Sequence, residues 1–212
     1  YNYILTASNT AGTASATFSG SLTLDEFIPC QIELKSGLLS QTIVIGESIQ
    51  NIDLMSNDVC STKAMAASGY PPGLIWSQLA SSFYNGQSYR LAGTPTSAGV
   101  YTFTVSNSIW GGTQVVTGTI TVLSKTYVPD DNFEQALIDL GYDDTMDDYV
   151  VTSNISSVTI LNVDRKSISD LTGIEDFTSL KELRVEVNSL SSLDLSQNSN
   201  LIHLSADRNN LT

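Results

Sequence analysis

Val158-x-x-Leu161-x-Val163-x-x-Lys166-x-Ile168, Leu180-x-x-Leu183-x-Val185-x-x-Asn188-x-Leu190 and Leu201-x-x-Leu204-x-Ala206-x-x-Asn209-x-Leu211 are one pattern written three times. The copies start 22 and 21 residues apart. In each, an alternating apolar pair such as Leu161 and Val163 reads as a short strand, and the polar residue three positions later belongs to a turn. One copy cannot bury its apolar side alone. The copies must stack, with the leucines filling a shared core and a capping element closing the start.

Period and consensus are those of leucine-rich repeats, whose strands line a concave face. Asn188 and Asn209 are the repeat asparagines, whose side chains are expected to hydrogen-bond turn backbone; Lys166 replaces the first. Stacking in register would align the side chains between the core leucines into columns: Ile160, Glu182 and His203; Asn162, Arg184 and Ser205; Asp164, Glu186 and Asp207. The last is a ladder of acids on strands ~4.8 Å apart, which a cation, water or a basic partner would have to screen. Asp164, Glu182, Arg184, Glu186, His203 and Asp207 are therefore the candidate binding residues.

Upstream, Val128 to Gly141 reads as one amphipathic helix. Asp130 or Asp131 can cap it, acids in the first turn suit the dipole, Gly141 can end it, and Phe133, Leu137 and Leu140 share a face. Eight acids crowd this cap: Asp130, Asp131, Glu134, Asp139, Asp143, Asp144, Asp147 and Asp148, with no Lys or Arg between Lys125 and Arg165. Calcium is the sharp reading of Asp143, Asp144, Asp147 and Asp148. An EF-type loop counted from Asp143 puts Asp148 where Gly is needed and Asn154 where Glu is needed, so a solvated acidic cap is preferred.

The first 124 residues have the other period. Tyr1 to Leu24 and Tyr101 to Leu123 each read as an alternating strand, a Gly-bearing turn and a second strand of alternating Thr and aliphatic residues, about 100 residues apart. If the second hairpin closes a domain, the first closes a preceding one, and the chain starts within a domain. Between them, Gln41–Ile45, Ile49–Leu54 and Leu74–Trp76 read as strands, and Gly93-Thr94-Pro95 to Gly99 as a crossover. Seven or so short strands with regular turns describe a β-sandwich.

Pro71-Pro72-Gly73-Leu74, Gly93-Thr94-Pro95-Thr96 and Gly99-Val100-Tyr101-Thr102-Phe103-Thr104-Val105 resemble the immunoglobulin-like, cadherin-like and PKD-like modules of large bacterial surface proteins, over residues 32–124 and the stub at 1–25. Some relatives carry a cysteine pair that would fall at Val44 and near Gly112, so family disulfides do not transfer. Residues 125–212 resemble the Pro-Asp-x-Asn-Phe cap and repeats of internalin-like bacterial proteins. The resemblances imply adhesion or surface display.

Composition narrows the function further. With 22 acids against nine Lys and Arg the net charge is −13, which disfavours nucleic acid and anionic membrane surfaces. No apolar run approaches the ~18 residues of a membrane span. Cys30 and Cys60 are the only cysteines, either a disulfide or two separate thiols. Zinc lacks ligands, no cofactor motif occurs, and GxSxG, HExxH and GxxxxGK[ST] are absent. His203 has no nucleophile beside it. Trp76, next to Leu74 and Ile75, reads as core, and Trp110 as an exposed aromatic.

The expected architecture is mainly β: a hairpin of a truncated Ig-like domain at 1–25, an Ig-like antiparallel β-sandwich at 26–124, a helical acidic cap at 125–157 and solenoid-type leucine-rich repeats at 158–212. Leu201, Leu204 and Leu211 would face a further neighbour. The expected function is non-catalytic, secreted or cell-surface adhesion, the sandwich acting as spacer and the concave face binding a protein or glycan. The rival is an accessory region of a secreted hydrolase whose catalytic domain lies outside this chain.

Overall fold

A computed structural model describes residues 2–8, 15–21, 31–57, 64–79, 86–109 and 112–212. Cys30, Cys60 and Trp110, named above, lie outside them. Strands β1 (Asn2–Ser8) and β2 (Ser15–Ser21) pair antiparallel as a hairpin.

Two open four-stranded sheets follow. One has the order β3 (Ile32–Ser36), β5 (Ile52–Ser56), β8 (Ser88–Gly93), β7 (Leu74–Gln78); the other β4 (Ser40–Val44), β10 (Gly112–Leu123), β9 (Gly99–Ile109), β6 (Ala66–Ser68). Alternation along each strand turns one side inward, and Ile52, Leu54 and Leu91 of the first sheet meet Phe103, Val105 and Ile120 of the second in one core without solvent exposure. Trp76 packs at its edge, stacked on Tyr89 at 5.1 Å and donating its indole N–H to the Met65 carbonyl at 3.3 Å.

The antiparallel expectation needs one correction, because β4 runs parallel to β10. β3 and β4 are nearly one strand, broken at Gly37, whose φ of 85° lets the chain leave one sheet and continue in the other. A side chain there would strike the Asn51 carbonyl.

After Ser124, β11 (Lys125–Tyr127) pairs with β12 (Tyr149–Val151), and α1 (Asp131–Asp139) and α2 (Thr152–Ile155) complete the cap. α1 is shorter than its apolar pattern suggests. Leu140 ends it and is 45% exposed, while Phe133, Ala136 and Leu137 carry the buried face. Gly141 at φ 80° closes the helix: its N–H reaches the Ile138 carbonyl and that of Tyr142 the Leu137 carbonyl, a paired C-cap that turns Leu140 outward.

The three repeats contribute β13 (Ile160–Asn162), β14 (Glu182–Arg184) and β15 (His203–Ser205), parallel and in the order of the chain. Leu161, Leu183, Val163, Val185, Leu180 and Leu190 share a second core with Phe133 and Leu137 of the helix. That core has no residue in common with the first.

Arg165, Val187 and Arg208 hold the same place in each repeat, with φ of 59°, 57° and 58°. A β-branched residue suits this left-handed region poorly, whereas Asn tolerates it. Val187→Asn should therefore stabilise the repeats by about 1 kcal/mol, read from urea denaturation followed by amide exchange; a loss of stability would contradict the strain.

Candidate functional site: the repeat strand face

The face is built by its asparagines. The Asn188 side chain donates to the carbonyls of Val163 (2.9 Å) and Val185 (3.0 Å), and its oxygen accepts the N–H groups of Lys166 (3.1 Å) and Ile168 (3.0 Å). Asn209 repeats this one layer on, donating to Val185 and Ala206 and accepting from Leu190. Each asparagine thus ties its own turn to the previous repeat. Lys166 has the cap helix before it rather than a repeat, and its ammonium reaches Asp139 at 2.8 Å.

On the other side of that junction, one Asp130 carboxylate oxygen accepts the Asn132 and Phe133 N–H groups at 3.0 Å and caps α1. The other accepts the Ser169 N–H (2.9 Å) and hydroxyl (2.7 Å) and the Asp170 N–H (3.0 Å) in the first repeat. Burial raises the pKa of this carboxyl, but the donors, Ser169 first, outweigh burial and hold it below its ordinary value.

With the layers locked, Ile160, Glu182 and His203 stand opposite one another, as do Asn162, Arg184 and Ser205. Backbone bonds from Val163 and Arg165 to the next repeat, and from Val185 and Val187 to the third, extend the ladder past Asp164, Glu186 and Asp207. A groove of about 680 Å³ runs between β14 and β15, lined by Glu182, Arg184, His203, Ser205, Ile202 and Leu204.

Three acids of this face have local partners. Asp164 accepts the Glu186 N–H at 2.6 Å, and Glu186 accepts the Ser205 hydroxyl at 2.8 Å. Arg184 donates its Nε–H to Glu182 at 2.7 Å, and that bond, more than the lesser fields of Asp164 and Glu186, raises the guanidinium pKa further. Its distal N–H groups remain available in the groove. The alternation of Glu182 and Arg184 on β14 with Glu186 just past it makes a mixed face rather than a uniformly acidic one.

The cap acids do other work. Among the described residues no group of three or more Asp, Glu, His or Cys side chains is placed to hold a metal ion. Asp147 pairs with Lys125 and accepts the Tyr149 N–H, Asp144 accepts the Thr145 hydroxyl, and Asp148 takes a left-handed turn position at φ 65°. Burial, then the charges of Asp147 and Asp144, raises the Asp143 pKa.

Three stacked leucine-rich repeats behind an acidic helical cap define the class: a repeat scaffold that presents a grooved strand face. No protein-family model matches the chain. Internalin J of Listeria monocytogenes (serotype 4b, strain F2365) is 37% identical over 72 residues, which is 34% of this chain and 8% of that protein. The solved functional domain of InlJ from Listeria monocytogenes, described as including a cysteine ladder, is 35% identical over 42% of this chain and 20% of its own, with a TM-score of 0.37. An internalin, InlF, from Listeria monocytogenes is 24% identical over 39% of this chain and 25% of its own, also with a TM-score of 0.37.

The repeat region is internalin-like. The chain spans less than a tenth of the length of the curated relative it matches. No cysteine occurs in residues 125–212, so nothing in these repeats corresponds to a cysteine ladder. Among the described residues no helix is long and apolar enough to cross a membrane.

Proposed function

We propose that the repeat strand face binds a protein partner at a bacterial cell surface, with the two-sheet unit, read as an Ig-like sandwich, as its spacer. The observation that carries this reading is the parallel register of β13, β14 and β15, which lines up side chains from three repeats on one face, with a groove between β14 and β15. The partner meets Asp164, Glu186 and Asp207 with a cationic strip, while Glu182, Arg184 and His203 set its position. The internalin-like neighbours support extracellular placement and binding rather than catalysis.

Exposed ion pairs contribute about 0.2–1 kcal/mol each. Neutralising the column with Asp164→Asn, Glu186→Gln and Asp207→Asn together should weaken binding roughly ten-fold, since 1.4 kcal/mol is a factor of ten. The first two changes keep the acceptor atoms that Glu186 and Ser205 use. The assay compares adhesion of beads carrying the chain, or the triple variant, to cell surfaces at low and moderate salt. Equal adhesion by the two, or no salt dependence, would sink the reading.

A further inference from the structure

The cap carries a feature that the repeat face does not use. β11 and β12 alternate, so Thr126 and Val150 are buried while Tyr127 and Tyr149 point outward, 49% and 41% exposed. The two tyrosines are direct cross-strand partners, with ring centroids 5.3 Å apart and planes tilted by 48°. Lys125 places its ammonium 5.5 Å from the Tyr149 ring and pairs with Asp147 at 3.0 Å.

The support beneath the rings is unusually well tied down for so short a sheet. Glu134 is 1% exposed, and one of its carboxylate oxygens accepts the N–H groups of Asp147 (2.8 Å) and Tyr149 (3.2 Å). The Asp148 carbonyl accepts the Val128 N–H at 2.8 Å, closing the far end of the pair. Two aromatic rings are thus held at the surface on a backbone fixed from below, a preorganised arrangement that loses little freedom when something stacks on it.

We propose that Tyr127 and Tyr149 form a stacking platform for a neutral polysaccharide, separate from the repeat face. A pyranose ring offers an apolar C–H face to an aromatic surface and a rim of hydroxyls to polar groups beside it. Here that rim is the phenol hydroxyls and the carboxylate of Asp147, acceptors for sugar hydroxyls. Charge selects among glycans. The Lys125 charge is matched by Asp147, so the rim offers no free cation to draw sulfated or carboxylated chains. Neither groove found in the repeats includes the tyrosines, and two exposed rings inclined at 48° with no groove beside them suit an extended sugar chain better than a peptide that needs a groove.

The test is affinity electrophoresis of the whole chain through gels containing soluble β-glucan, xylan, mannan or α-glucan, with bovine albumin as the unretarded reference. At least one of the four should retard it. Tyr127→Ala with Tyr149→Ala should weaken that retardation about ten-fold or more, the sum of two stacking contacts of roughly 1 kcal/mol each. Tyr127→Phe with Tyr149→Phe should keep most of it, and the triple acid variant of the repeat face all of it. If the alanine pair fails to fold, the tyrosine absorption difference spectrum of the unsubstituted chain on adding the retarding polysaccharide serves instead, and it should vanish in the phenylalanine pair. No retardation by any of the four, retardation unchanged in a folded alanine pair, or retention only on an oligolysine peptide would overturn the proposal.

Discussion

Replacing Asn188 with alanine is expected to destabilise the repeat region by about 3–5 kcal/mol, because it removes five side-chain hydrogen bonds and strands backbone groups at a layer boundary. The Val163 carbonyl and the Lys166 and Ile168 N–H groups lose their side-chain partner at once, while the Val185 carbonyl keeps Asn209. A net bond contributes only about 1 kcal/mol, but a buried group left without one costs ~1–3 kcal/mol. Asn188→Asp should be nearly as harmful, since it keeps the acceptor and brings a charge up to two carbonyls. Because the chain has two separate cores, one melting curve need not report this change. Both tryptophans lie in the sandwich half of the sequence, so their fluorescence should be nearly unaffected. Amide exchange at Lys166 and Ile168 is the informative measurement. Protection unchanged from the parent would show that the asparagine ladder does not hold the repeats together.

The ladder was visible in the sequence because it depends on spacing. A residue recurring every 21 or 22 positions must meet its own copies when the units stack, so the two β-ladder columns, Ile160 with Glu182 and His203, and Asn162 with Arg184 and Ser205, could be written down without coordinates. The roles of individual polar groups were not visible in the same way. Glu134 reads as an ordinary first-turn acid, yet it is buried beneath Asp147 and Tyr149, thirteen and fifteen residues on. Leu140 reads as part of the apolar face, yet the C-cap at Gly141 rotates it out. Lys166 looks like a defect in the repeat, whereas it is the sensible residue at a layer whose neighbour is a helix bearing Asp139.

The candidate site shows the same division. Register placed the side chains, but partner choice depends on which charges remain after local pairing, and that needed atoms: Arg184 is half committed to Glu182, and Asp164 is occupied by the Glu186 N–H. The tyrosine pair was missed for a related reason. Lys-Thr-Tyr and Tyr-Val-Val are three-residue strands separated by a helix and an acidic loop, too short for alternation to stand out. A two-residue alternation with an aromatic at each outward position was the only available signal.

Asp130 should be the other large-effect position, and its effect should depend on pH. Its carboxylate serves two structures at once, so two substitutions can separate them. Asp130→Asn retains a good helix cap, because an amide oxygen can still accept from Asn132 and Phe133, but it cannot also accept from Ser169 and Asp170. It should cost about 1–2 kcal/mol, the value of the lost charge-assisted bonds. Asp130→Ala loses the cap as well and should cost about 3–4 kcal/mol. The folded-state pKa lies below the ordinary carboxylate value, so the stabilising contribution is fully present above the unfolded-state pKa of about 4 and is lost as pH falls through the lowered folded-state value. The parent cap should therefore loosen on acidification below about pH 4, whereas in Asp130→Asn this component of the pH dependence should be absent. Amide exchange at Phe133, Ser169 and Asp170 as a function of pH would show it directly. Equal acid sensitivity in the parent and the asparagine variant would place the proton-linked loss elsewhere, among the other carboxylates of the cap.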